Sequence, residues 1–315
     1  MRAVVIKQGK LHIAERDAPA PGPNDVVIAV RAAGINAADL LQLQGFYPAP
    51  PGWPVDIPGL EMAGIVSAVG RDVHEALLGR RVCAVVGGGA QATHCLVPAE
   101  HLTFVPEQVA WNEAGGFAEA FTTAHDALVT QGSLRAGQRV LISGASGGVG
   151  TAAVQIAHRL GAHVTAVTRS AEHHESLRAL GADETVTLNE VASIARVDVV
   201  LELVGAAHLA LAQKVLAPFA RVVVIGVGGG SQMDLDLLSV MSTRATLTGS
   251  TLRSRSRQEK AEVIARVNEE VVPLWASDQL RVPLAKSFEL TDAAAAYEEF
   301  ARPGKFGKIM LLVEQ

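Results

Sequence analysis

The chain has 315 residues, 49% of them hydrophobic and 19% charged, which excludes a disordered segment and exceeds the usual size of one domain. The formal net charge is -5 and the basic residues are scattered, so there is no electrostatic footprint for nucleic acid. Two cysteines, Cys83 and Cys95, form no Cys-x-x-Cys pair; their spacing permits a disulfide, but two buried thiols suit a reducing compartment better.

Residues 1–15 alternate apolar and polar like a strand. They lack the long apolar run of a secretion signal or membrane anchor, so a cytoplasmic protein is expected. Up to about residue 102, short apolar runs such as 25–30 and 64–69 are broken by glycine and proline and read as an all-β region with loops. Five prolines between 48 and 58 dictate a loop over a surface or cleft.

From about Gly137 the rhythm becomes strand (139–143), glycine turn, helix (150–160) and strand (163–168), a parallel βαβ unit. It continues with a helix ending at 176–180, strands at 184–187 and 198–202, a helix over 206–216 and a strand over 221–226, which predicts a doubly wound sheet. Beyond Ser256 a helix-like stretch runs to Trp275, and 282–290 and 308–313 have strand character. These last segments are expected to return to the first domain, so that a nucleotide domain is inserted in a split one.

The turn after the 139–143 strand reads Gly144-Ala145-Ser146-Gly147-Gly148-Val149-Gly150. Between a strand and a helix, such glycines permit a tight turn and close approach of backbone to a pyrophosphate, and the helix N-terminus offers unpaired N–H groups. The next strand ends Thr168-Arg169-Ser170. An acid there would accept hydrogen bonds from a free ribose hydroxyl and repel a 2′-phosphate. None is present, and Arg169 with the Ser170 hydroxyl suits a phosphate, with His173 and His174 close behind. An ordinary solvated arginine is the plain alternative for Arg169.

Several motifs resemble the zinc-free quinone oxidoreductases of the medium-chain dehydrogenase/reductase superfamily, over essentially the whole chain. They are Ala33-Gly34-Ile35-Asn36-Ala37-Ala38-Asp39-Leu40-Leu41-Gln42 with Gln44-Gly45-Phe46-Tyr47-Pro48, then Pro58-Gly59-Leu60-Glu61 with Gly64, Val66, Gly70, Gly79 and Arg81-Val82. Gly249-Ser250-Thr251-Leu252-Arg253 and Gly307-Lys308-Ile309 complete them. The branch resembled contains the tumour-suppressor-inducible quinone oxidoreductases. The resemblance implies an α/β protein with a GroES-like β-rich catalytic domain, split over 1–120 and 259–315, and a Rossmann doubly wound parallel-sheet domain over 121–258.

The same resemblance implies no metal: Asn36 stands where a zinc-ligating cysteine would be and Leu60 where a histidine would be, although Glu61 persists. Asn36 and Tyr47 match catalytic residues facing nicotinamide and substrate. Thr122, Thr123, Gly226, Ser250, Thr251 and Leu252 match the nicotinamide pocket. Gly144, Ser146, Gly147, Gly148, Val149 and Gly150 are expected to bind the cofactor phosphates, and Arg169, Ser170 and His173 the 2′-phosphate of NADPH. His173 replaces a common lysine and Leu188 a tyrosine, so that pocket departs from the family pattern. The implied activity is NADPH-dependent reduction of quinones or activated enones, with Tyr47 or water as proton source. Reduction of small α,β-unsaturated carbonyls or acyl thioesters, and NADPH binding with little turnover, are the rival readings. A homodimer is expected through an exposed edge strand over 221–227.

Overall fold

In the computed structural model, which describes residues 1–314, the N-terminal alternation becomes a hairpin. β1 (Arg2–Lys7) and β2 (Lys10–Glu15) pair antiparallel with Lys7 opposite Lys10. Gln8 and Gly9 both take positive φ, 53° and 69°, the two-residue turn whose twist matches that of its strands. The chain continues through β3 (Asp25–Ile35), α1 (Ala37–Leu43), β4 (Glu61–Val69), β5 (Arg81–Val85), β6 (His94–Pro98) and β7 (Leu102–Phe104). Then come α2 (Trp111–Ala114) and α3 (Ala118–His125), which passes into a π-helical turn over Asp126–Gln131.

The alternating region follows as β8 (Arg139–Ile142), α4 (Gly148–Arg159), β9 (His163–Thr168), α5 (His174–Ala179), β10 (Glu184–Thr187) and β11 (Val197–Glu202). It closes with α6 (Ala206–Ala212), β12 (Leu216–Val224), α7 (Leu237–Thr243) and β13 (Thr246–Gly249). The last stretch holds α8 (Arg257–Glu270), α9 (Val272–Ala276), β14 (Leu284–Glu289), α10 (Ala293–Ala301) and β15 (Lys308–Leu312). A capping box starts α8: Ser256 N donates to Glu259 Oε2 at 3.0 Å, and Glu259 N to Ser256 Oγ at 3.2 Å.

The chain forms two units, Met1–Thr122 with Leu252–Gln315, and Thr123–Thr251. The first is the GroES-like β-rich unit. Its seven-stranded sheet runs β14-β15-β3-β4-β5-β7, with β6 also paired to β3, around a core that includes Val26, Ile28, Val30, Met62 and Ile309. The second is the Rossmann unit, an all-parallel sheet of six strands in the order β10-β9-β8-β11-β12-β13. Its strand order reverses between β8 and β11, the place where such sheets open a ligand crevice beyond their strand ends. By contact the returning segment begins at Leu252, and Arg253 is buried with its guanidinium on Gln42, Tyr47 and Gly87.

Two expectations need correction. The segment 221–227 is not a sheet edge, because β12 pairs with β11 on one side and β13 on the other; the edge strands of this sheet are β10 and β13. The helix expected over 206–216 stops at Ala212, and β12 already begins at Leu216. In addition, the alternation assigns nothing to 291–301, which holds α10. Among the described residues no helix is long and apolar enough to cross a membrane, and Cys83 and Cys95 are free and buried.

In the β-rich unit Phe117 stacks on Phe121 at 4.5 Å and on Trp275 at 3.8 Å between ring centroids. Trp275 Nε1 also donates to Glu113 Oε1 at 3.2 Å. Trp275→Ala removes this fully buried ring and is expected to lower stability by about 3–5 kcal/mol, read as an earlier unfolding midpoint in a denaturant titration followed by circular dichroism.

Candidate active site

In the β-rich unit the site grows from strand register. β3 lies between β4 and β15, and Ile309 pairs with Ile35, so Lys308 falls opposite Asn36. On the other side Ala33 pairs with Met62, which puts Glu61 opposite Gly34. Gly34 has no side chain to block the way; a Cβ there would collide with the Glu61 carboxylate. Glu61 therefore crosses β3 and forms a buried ion pair with Lys308. Lys308 Nζ also donates to Asn36 Oδ1 at 2.6 Å. Asn36 Nδ2 donates to Glu61 Oε1 at 3.1 Å, and Glu61 Oε2 accepts the Glu119 backbone N–H at 2.8 Å.

Asn36 also caps α1, and its backbone N–H donates to Asp39 Oδ2 at 2.8 Å, while Gly59 N donates to Asp39 Oδ1 at 3.0 Å. Burial pushes the Asp39 carboxyl up to about 7, against these two N–H groups and the charges of Lys308 and Arg253.

Tyr47 begins the proline-rich loop and is half-buried. Arg253 fastens this region. Its Nη1 donates to the Tyr47 carbonyl at 2.9 Å, Nη2 to Gln42 Oε1 at 2.5 Å and Nε to the Gly87 carbonyl at 2.8 Å. The guanidinium lies 4.9 Å from the Tyr47 ring centroid. Lys260 Nζ in turn donates to the Arg253 carbonyl at 3.2 Å, and burial, with the Arg253 and Arg255 charges, lowers Lys260 to about 8. Burial raises the Tyr47 phenol above its ordinary value. Thr122 and Leu252 also belong to this unit.

In the Rossmann unit the glycine turn leaves β8 with Gly144 at φ 58° and starts α4 behind Gly147. A Cβ at Gly150 would strike the Gly144 carbonyl and Ala145, so the close packing of helix on turn requires glycine there. Ser146, Gly147, Gly148 and Val149 are half-buried along the turn and the first helical turn, where backbone N–H groups lack intrahelical partners. Glu202 fixes the opposite wall. Its Oε1 accepts from Ser143 Oγ at 2.8 Å and from Val204 N and Gly205 N, each at 2.7 Å.

Arg169 and Ser170 are exposed just beyond the end of β9, and the Ser170 hydroxyl accepts from Glu172 N at 3.3 Å. His173 Nε2 lies 3.4 Å from the Glu172 carboxylate. His208 on α6 joins this neighbourhood; burial and then the Arg169 charge hold it below the ordinary histidine value, against Glu202. Gly226 N donates to the Glu202 carbonyl at 3.2 Å. Ser250 N donates to the Val224 carbonyl at 3.0 Å and its hydroxyl to Asp126 Oδ2 at 3.4 Å. Thr123 is buried in α3 and Thr251 is exposed.

Lys308, Arg253, Asp39 and Gln42 stood inside the quoted motifs without a role of their own, and Glu202 and His208 stood outside them. An isolated charge reads as solvated in a sequence; only for Lys308, heading an apolar strand, was there a local signal.

Comparison with known proteins follows the same division. Residues 22–133 match an alcohol dehydrogenase GroES-like domain and residues 148–269 a zinc-binding dehydrogenase domain. The chain is 30% identical to a quinone oxidoreductase of Sus scrofa, over 94% of this chain and 91% of that protein. It is 28% identical to the synaptic vesicle membrane protein VAT-1 homolog of Rattus norvegicus, over 93% of this chain and 78% of that protein. The crystal structure of an alcohol dehydrogenase superfamily protein from Novosphingobium aromaticivorans superposes with a TM-score of 0.89 at 28% identity, each chain covered completely. The chain belongs to the medium-chain dehydrogenase/reductase superfamily and, within it, to the quinone oxidoreductase branch, a family of oxidoreductases that bind nicotinamide cofactors.

Asp39 makes stability depend on pH. Between 3.8, the ordinary carboxyl value, and about 7 the unfolded chain has released a proton that the folded chain keeps, so the Asp39 contribution weakens as pH rises through that window. Asp39→Asn is expected to flatten this part of the profile, measured as unfolding free energy at a series of pH values; an unchanged slope would contradict it.

Proposed function

We propose that the chain reduces quinones, or similarly activated carbonyl compounds, with NADPH and without zinc, in the cytoplasm. The observation that carries this reading is the Asn36–Glu61–Lys308 cluster. Zinc takes thiolate, imidazole and carboxylate ligands. Here an amide and the apolar Leu60 hold two ligand positions, and the one carboxylate is already paired with a buried ammonium. Among the described residues no group of three or more His, Cys, Asp or Glu is suited to hold a metal. Without a Lewis acid the substrate must itself be a good electrophile, which favours quinones, and the likeness to the Sus scrofa quinone oxidoreductase supports the same class.

Bound NADPH supplies hydride, so that quinone, NADPH and one proton yield quinol and NADP⁺. Gly144, Ser146, Gly147, Gly148, Val149 and Gly150 hold the pyrophosphate against the α4 N-terminus. Arg169, exposed and with no acid beside it on β9, pairs with the 2′-phosphate, helped by Ser170 and His173. Thr122, Thr123, Gly226, Ser250, Thr251 and Leu252 are the residues that the family resemblance assigns to the nicotinamide. The Tyr47 hydroxyl, protonated at neutral pH as any phenol is, hydrogen-bonds the substrate, and Tyr47 or water returns the proton.

Cofactor oxidation followed by absorbance, with a panel of quinones and enones, tests the reading. Turnover with quinones that survives a chelator supports it, and no oxidation with any quinone overturns it. Arg169→Asp is expected to weaken NADPH binding by about 1–3 kcal/mol and leave NADH binding nearly unchanged; equal affinity of the parent for the two cofactors would remove the NADPH assignment.

The proposal includes a homodimer, seated on the β13 edge rather than on 221–227. α7, which packs on β12 and precedes β13 in the chain, exposes Leu237 at 66% and Leu238 and Met241 at 73% each, apolar surface that a second copy would cover. Light scattering is expected to give a dimer mass for the parent and a monomer mass for Leu238→Lys with Met241→Glu.

A further inference from the structure

We propose that Lys308 is a positioning residue: it locks and polarises the amide of Asn36, the residue that the family resemblance turns toward the substrate, so that this amide donates a hydrogen bond to the substrate oxygen. The inference rests on the reductase reading above. An ammonium only donates and a carboxylate only accepts, so the amide has one workable orientation. Oδ1 must face Lys308, at 2.6 Å, and Nδ2 must face Glu61, at 3.1 Å. A flip would set N–H against ammonium and carbonyl against carboxylate.

Nδ2 carries two hydrogens and Glu61 takes one. The second has no partner among the described residues. Glu61 and Lys308 are closed off, at 0% and 3% side-chain exposure, whereas Asn36 retains 9% and is the member of the cluster that reaches a surface. The cluster thus leaves one amide N–H of its least enclosed member without a partner among the described residues. The ammonium on Oδ1 draws electron density from the amide and makes that N–H a stronger donor. As a quinone accepts hydride, negative charge develops on its oxygen, and a fixed donor there stabilises the transition state. A buried cation acting through an amide would supply part of the polarisation that zinc supplies elsewhere in the superfamily.

The test uses the full chain loaded with NADP⁺, which cannot deliver hydride, and tetramethyl-p-benzoquinone as probe. Difference infrared spectroscopy reads the carbonyl stretch of the bound probe. The expected result is a stretch at lower wavenumber in the parent than in Asn36→Ala, with the shift also lost in the charge-neutral pair Lys308→Met with Glu61→Gln and retained in Lys308→Arg. If the double variant does not fold, Lys308→Gln, which keeps a donor to Glu61, takes its place. With NADPH, Asn36→Ala is expected to lower kcat about a hundredfold for this weakly oxidising quinone and less than about tenfold for p-benzoquinone, which needs less assistance.

A purely structural role would lower both quinones alike and leave the carbonyl band unmoved. Either result in an active parent overturns this inference alone. A band shift lost in Lys308→Arg as fully as in the neutral pair overturns the assignment to Lys308. A parent that neither binds the probe nor turns over any quinone overturns the reductase reading and this inference with it.

Discussion

The arrangement of the β-rich unit depends on one buried ion pair. Moving an ammonium and a carboxylate out of water is unfavourable unless every polar atom finds a partner, and removing one member of such a pair leaves a charge stranded. Lys308 and Glu61 meet this condition because three strands converge on them. β15 brings the lysine, β4 the glutamate and β3 the gap at Gly34 through which they meet. A register slip of one residue in either pairing would send the side chain to the opposite face and leave its partner unpaired. The pair therefore fixes how the chain end returns to a sheet begun almost 300 residues earlier, and Asn36 inherits its orientation from it.

Much of this fold was legible in the sequence, for identifiable reasons. The βαβ unit showed itself because buried parallel strands are short apolar runs and because Gly144, Gly147 and Gly150 mark the turn between them. What was misread involved context. The run 221–226 looks like an apolar strand whether it lies inside a sheet or at its margin, and only the later pairing of 246–249 makes it interior. The stretch Ala293–Ala301 carries four consecutive alanines, whose small apolar side chains give almost no contrast between faces. Its helix gains its place by burying Ala293, Ala296 and Tyr297.

The site was legible in a different way. Asn36 and Tyr47 enter the candidate site only by resemblance to a family, since an asparagine and a loop tyrosine carry no period or spacing of their own. Arg253 and Lys308 escaped a role because a charged side chain is ordinarily solvated. Their burial is a property of the folded register, in which carbonyls of Tyr47 and Gly87 and the carboxylate of Glu61 converge from distant positions. Donor and acceptor count then explains why these cations tolerate burial: the Arg253 fork uses Nε, Nη1 and Nη2 on three different partners.

The Rossmann unit holds its buried carboxylate without a cation and through one oxygen, Oε1. Glu202, fully buried at the end of β11, is held by the Ser143 hydroxyl and by the backbone N–H groups of Val204 and Gly205. Ser143 ends the run before the glycine turn, and its Oγ accepts the Leu203 N–H at 2.8 Å while donating to Glu202. That reciprocal pair joins β8 to β11 at the point where the strand order reverses. The crevice wall is thus set by hydrogen bonds from Ser143, Val204 and Gly205 to one carboxylate oxygen. A shorter acid at 202 would have to reach the same three donors with one methylene less, so the length of glutamate is matched to the distance between the two strand ends. In each unit a buried carboxylate with defined donors, rather than apolar packing alone, determines where the polar groups of the site face.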